Sequence, residues 1–214
     1  MIVPQIPGKF GALASRFHRS VIALFLLSVF PLRPLAQDGH SHTATQPNQE
    51  LTAEQQSNQI SLLKIVREAT ARFQDVSEAE REHYSLLFGC VSGPDAGAMG
   101  LHYVNGDLLD EVNKTGVLDP RRPQIVLYEA QPNGSLKLTG ADFVVFAADW
   151  DAKHPNTPPQ LMGQIFHYFE APNRFGLPAF YTLHVWAWKQ NPNGAFVNWH
   201  PQVSCQSFVG QTTP

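Results

Sequence analysis

The residues whose types and positions could do chemistry are three histidines, one glutamate and a pair of tryptophans. His102, His184 and His200 each lie in or beside a stretch with strand character. Side chains alternate across a strand, so His184 shares a face with Thr182, Trp186 and Trp188, and Glu129 shares one with Ile125 and Leu127. A buried polar or ionised side chain without a partner is costly. A shared cluster of His102, Glu129 and His184 would satisfy all three, through hydrogen bonds or around a divalent metal such as Zn²⁺ or Cu²⁺. With a metal bound, Glu129 would also be placed to act as a general base on metal-bound water. Trp186 and Trp188, with His200 nearby, would offer a stacking platform for a sugar or another flat ligand. The plainer alternative is a set of separate, individually satisfied polar residues in a sheet core.

The familiar catalytic motifs do not occur. Gly93-Pro-Asp-Ala-Gly-Ala-Met-Gly100 is rich in glycine, but it matches neither the dinucleotide fingerprint nor the lysine-ending phosphate loop. In Gly89-Cys-Val-Ser-Gly93 the serine is displaced by one position from a nucleophile elbow. No H-E-x-x-H and no C-x-x-C is found.

The elements that must position these residues are strands preceded by helices. Gln124–Glu129 and Ser135–Ala147 read as a hairpin around Gln131-Pro-Asn-Gly134, because Asn-Gly tolerates positive φ, and the return strand is expected to bend at Gly140. Met99–Val104 and Ala179–Lys189 are further strands, and a second turn falls at Asn191-Pro-Asn-Gly194. Gln160–Glu170 is ambiguous between strand and helix, whereas Asn105–Pro123 and Asp149–Pro159 read as connections. Upstream, Thr52 and Gln55 make a capping box for a helix over Ala53–Phe73. Ser77 and Glu80 open a second, short helix that Gly89 stops. Helices first and strands later predict an α+β domain over 51–210, with an antiparallel sheet packed on the N-terminal helix or helices.

Composition sets the compartment. The chain has 214 residues, 43% hydrophobic and only 15% charged, which excludes a coiled coil, a collagen-like rod and a multi-span membrane protein. Lys9, Arg16, Arg19 and Arg33 are the only Lys, Arg, Asp or Glu before Asp38. They flank the uncharged run Ser20–Leu32, whose thirteen residues would span about 20 Å as a helix. A hydrocarbon core is about 30 Å thick, so residues 1–36 read as a secretory signal peptide rather than a lasting span. The polar stretch 37–50 reads as a flexible linker. Beyond it the balance is acidic, which argues against a nucleic-acid partner. In an oxidising compartment an isolated pair such as Cys90 and Cys205 is expected to form a disulfide. If cleavage follows Gln37, the new terminus Asp38-Gly39-His40 would offer a square-planar nitrogen set for Cu²⁺ or Ni²⁺.

Several segments together carry a resemblance: Gly89-Cys-Val-Ser-Gly-Pro94, Ala98-Met-Gly-Leu-His-Tyr-Val104, Leu183-His-Val-Trp-Ala-Trp188, Asn191-Pro-Asn-Gly194 and Val203-Ser-Cys205. They resemble an uncharacterised family of exported bacterial proteins, over roughly Ala69–Cys205. The resemblance implies export and the Cys90–Cys205 pair, and it transfers no catalytic residue. Three functions follow as expectations. The first is a secreted or periplasmic binding module with a His-, Glu- and Trp-lined pocket. The second is an exported metal-dependent hydrolase using the same pocket. The third is a non-catalytic interaction protein of the envelope.

Overall fold

The computed structural model describes residues 50–93 and 95–213. The signal-like leader, the linker up to Gln49 and the Asp38-Gly39-His40 triplet lie outside the described residues. The architecture is α+β, with helices, a mostly antiparallel sheet and one disulfide.

Thr52 caps helix α1 (Ala53–Thr70) through a reciprocal capping box with Gln55. The helix tightens into a 3₁₀ turn over Ala71–Gln74 rather than running on as α-helix to Phe73. Helix α2 (Val76–Arg81) is capped by Asp75, whose carboxylate accepts from the Ser77 amide, so Ser77 is not the cap. It ends well before Gly89, because His83 takes a left-handed conformation (φ 68°) and turns the chain into strand β1 (Tyr84–Gly93). β1 pairs with β2 (Gly97–Asn105), and Phe88 and Gly89, both at positive φ, form a bulge between Leu87 and Cys90.

The stretch expected to be a polar connection begins with a helix, α3 (Gly106–Thr115). The Asn105 side chain accepts from the Leu108 amide at its start, and Gly116 closes it at φ 69°. The hairpin of β3 (Ile125–Ala130) and β4 (Leu136–Phe146) forms around Gln131–Gly134 as read from the sequence. The irregularity in β4 falls at Thr139, where the register slips by one residue. The Thr139 carbonyl, released from the ladder, accepts from the amides of Trp188 and Lys189. Gly140 is needed beside it, since a Cβ there would collide with the Val185 carbonyl oxygen. Ala147–Lys153, expected as strand end and loop, is a short helix, α4. The ambiguous segment resolves into strands β5 (Gln160–Leu161), β6 (Gln164–Ile165) and β7 (His167–Phe169). β8 (Phe180–Val185) and β9 (Thr212–Thr213) complete a seven-stranded sheet of order β7-β8-β4-β3-β2-β1-β9. Only the β1–β9 pair is parallel, and it carries the fold past residue 210.

One face of the sheet packs on the helices. Leu62 and Val66 of α1 cluster with Ala141, Phe143, Leu183 and Val185, while Phe73 and Ala79 cluster with Leu101, Val126 and Tyr128. The other face carries Val104, Ile125, Leu127, Val144 and Phe180. The sheet curls around this second face. The clearest sign is that Phe88 of β1 meets Phe175, from the β7–β8 loop at the far end of the strand order, edge to face with ring centres 5.4 Å apart. Arg174 also reaches across to donate to the Ser92 carbonyl at 3.0 Å. Cys90 and Cys205 are disulfide-bonded with Cα atoms 5.7 Å apart, tying β1 to the C-terminal segment.

Candidate metal centre

Strand pairing assembles the site. His102 stands opposite Leu127, Ile125 opposite Asp142, and Asp142 opposite His184, so the two histidines and the aspartate come from β2, β4 and β8 on the curled-in face. All three are buried. Nitrogen and carboxylate oxygen atoms of His102, Asp142 and His184 lie within 4.8 Å of one another. The Nδ1 atom of His184 is 3.5 Å from Asp142 Oδ1, and the two imidazoles meet edge to face at 5.7 Å.

The surroundings fix how each ring presents itself. His102 Nδ1 is 3.2 Å from the Gly100 carbonyl oxygen, which can only accept. The bond therefore places a proton on Nδ1 and leaves the Nε2 lone pair free, the arrangement by which metal-binding histidines are usually oriented. Asp142 is held from behind by the Thr182 hydroxyl, which donates at 2.6 Å. His184 differs from the other buried polar side chains. Neither of its ring nitrogens makes a well-aligned hydrogen bond among the described residues, and the only other such atom is Oδ1 of Asn198, whose side chain lies near the His184 ring without bonding geometry.

Burial dominates the electrostatics. It drives the proton affinity of His102 down to about 4, with the like-charged His184 adding to the fall and Asp142 opposing it. His184 falls to about 3, chiefly by burial and then by His167, with the Asn198 side chain opposing. Burial pushes Asp142 up to about 6, against the pull of His102 and its hydrogen-bond donors. At neutral pH the site thus presents two uncharged imidazoles and one carboxylate, the protonation that metal ligation requires.

Above the three residues opens a small cavity of about 60 Å³, which widens towards solvent. Its walls are apolar and include five phenylalanines, at 88, 146, 169, 175 and 180. His102, Asp142, Thr182 and His184 are its only polar lining residues among the described residues.

The other residues singled out in the sequence lie elsewhere. Glu129 sits at the end of β3, where Oε2 accepts from Lys189 Nζ at 2.7 Å and Oε1 from the Ser204 amide at 3.2 Å. The carboxylate beside the two histidines is therefore Asp142, not Glu129. Trp186 and Trp188 do not share a face. β8 ends at Val185, the Ala187 amide turns back to the Val185 carbonyl, and strand alternation stops there. Trp186 packs on the pocket side and donates to the Val197 carbonyl, whereas Trp188 packs on the helix side and donates to Thr70 Oγ1. His200 lies against the Trp186 ring at 4.9 Å, with Nε2 on the Gln190 carbonyl and Nδ1 accepting from the Gln202 amide. Both of its nitrogens are used, so it has no lone pair to offer a ligand.

Sequence reasoning missed Asp142, although the signal is there. It is the one charged residue in the run Ala141-Asp-Phe-Val-Val-Phe146. No protein-family model, curated protein or solved structure matches the chain.

Proposed function

We propose that this chain is an exported binding protein that holds a divalent transition metal of the zinc class on His102, Asp142 and His184, at the floor of an apolar pocket. The observation that carries the reading is His184: a fully enclosed imidazole with two partnerless nitrogens, beside a buried carboxylate and a second histidine. Burying such a group uncompensated costs roughly 1–3 kcal/mol, and a metal would remove that cost. Zinc bonds of about 2.0–2.2 Å put neighbouring ligand atoms roughly 3.3 Å apart. The ligand atoms now lie within 4.8 Å of one another, so a bound metal would draw them closer together.

Three protein ligands leave a coordination position open towards the pocket. That geometry also suits catalysis, but Asp142 would be spent on the metal, and both oxygens of Glu129 are engaged elsewhere. Binding is therefore the better reading. The disulfide favours a location outside the reducing cytoplasm, in line with the charge pattern of residues 1–36. No helix among the described residues is long and apolar enough to cross a membrane.

The test is metal analysis and thermal melting of untagged protein. We expect stoichiometric uptake of Zn²⁺ and a higher melting temperature. Both should be lost in His184→Leu and Asp142→Asn, and both should persist in His40→Ala. A chelated protein whose melting ignores Zn²⁺, Co²⁺ and Ni²⁺, and which takes up none of them in stoichiometric amount, overturns the reading.

A further inference from the structure

We infer that the pocket binds an apolar monocarboxylate, with its head on the open metal position and its hydrocarbon body among the phenylalanines. The inference rests on the metal reading above and names the ligand class for that same site.

The body follows from the walls. Phe169 and Phe180 stack with ring centres 5.0 Å apart, Phe175 lies edge-on to both, and Phe88 meets Phe175 from the opposite edge of the sheet. Phe88, Phe146, Phe169 and Phe175 are only partly buried, although positions that solvent reaches beside an open sheet face are normally polar. A cavity with this lining, apolar walls around a few convergent polar groups, is of the kind that takes small, mostly apolar molecules.

The head follows from charge. No lysine or arginine lines the cavity among the described residues, and the Thr182 hydroxyl already donates to Asp142. Two neutral imidazoles and one carboxylate around a divalent cation leave a single net positive charge in a low-dielectric site. Such a charge is costly unless it is paired. One anionic group neutralises it. A dianion would overshoot, and an alcohol or amine would leave it uncompensated. Without the metal the pocket holds no cation to receive a carboxylate head. The metal therefore decides whether the pocket accepts a carboxylate.

The experiment uses the full chain, metal-free and Zn²⁺-loaded, titrated calorimetrically with octanoate and with octanol. We expect octanoate to bind the loaded protein at least about tenfold more tightly than either octanoate on the metal-free protein or octanol on the loaded one, a factor equivalent to about 1.4 kcal/mol. In the Co²⁺-substituted protein, octanoate should shift the visible absorption bands, because it enters the coordination sphere. Phe175→Ser and Leu177→Ser, both half-buried loop residues that line the cavity, should weaken octanoate binding while leaving Zn²⁺ affinity unchanged.

Equal binding of octanoate and octanol, equal binding with and without metal, or an unmoved Co²⁺ spectrum would overturn the inference. Failure to take up Zn²⁺ at all, seen before any carboxylate is added, would end the metal reading and this one with it. Normal Zn²⁺ uptake by a protein that ignores octanoate would end this inference alone.

Discussion

The two faces of the sheet are finished differently. On the helix side, Tyr84 donates to the Pro123 carbonyl, Tyr128 to the Phe73 carbonyl, and the Trp188 indole to Thr70. These bulky side chains end in satisfied polar tips. On the pocket side, three ionisable groups are buried together, His184 has no partner for either nitrogen, and partly buried phenylalanines ring an opening. Both faces arise from the same four central strands, whose successive residues point alternately to one side and the other. The contrast separates two ways of finishing a buried face. The helix face pairs its polar tips, while the pocket face leaves the His184 nitrogens unpaired, a cost that the proposed metal would remove.

The largest expected effect comes from opening the helix face. Phe143 is fully buried between α1 and the strands. Phe143→Ala should cost about 3–5 kcal/mol, the lost transfer energy plus the cavity left behind. Urea unfolding of metal-free protein measures it. A loss below about 1 kcal/mol would show that this face can collapse around the gap, and the contrast between the two faces would weaken.

The disulfide should come next. Cys90 packs in the helix-side cluster, and Cys205 touches the clusters of both faces. The bond closes a separation of 115 residues. Its reduction should lower stability by about 2–4 kcal/mol, read as a fall in melting temperature on adding reductant. Cys205→Ser should melt at the reduced protein's temperature and ignore reductant. An unchanged melting temperature on full reduction would mean that packing alone holds the C-terminal segment beneath the pocket.

The ease with which these features can be read from sequence follows the range of the interactions that make them. The β3–β4 hairpin and the α1 cap are local, and Asn133-Gly134 and Thr52–Gln55 announce them. Helix α3 is local too. Asn105 and Gly116 are its start and stop signals, but its polar composition reads as a connection. β1 was the harder case. Its Tyr-Ser-Leu-Leu-Phe run has no clean alternation, because a bulge interrupts it and its pairing with β2 decides the outcome. In the site, His102 and His184 stand out as polar residues on apolar strand faces. Which carboxylate joins them depends on register across three strands, and β3 and β4 each carry one candidate. Pairing places Asp142 directly opposite His184, while Glu129 lies at a strand end within reach of Lys189. The tryptophans mislead because the alternating pattern in the sequence runs on past Val185, where a turn breaks the strand. No local pattern in Ala179–Lys189 marks that end.

The smallest expected change in stability is the most telling about the pocket face. In metal-free protein, His184→Leu removes two buried nitrogens that have no partners and puts a side chain of apolar character beside Trp186 and the pocket wall. Removing such a group returns its desolvation cost, whereas replacing a well-bonded one forfeits its hydrogen bonds. Asp142 keeps the Thr182 hydroxyl in the variant, so the change strands no carboxylate. Stability should therefore stay within about 1 kcal/mol of the parent, on the gaining side. That is the reverse of the sign that a substitution at a fully buried position ordinarily carries. Chemical unfolding in the presence of a chelator gives the value. A loss of more than about 2 kcal/mol, the size expected for a satisfied buried polar group, would mean that His184 is held by the fold for its own stability. The two faces of the sheet would then follow one rule instead of two. With Zn²⁺ present the comparison sharpens, because the parent should gain stability and the variant should not.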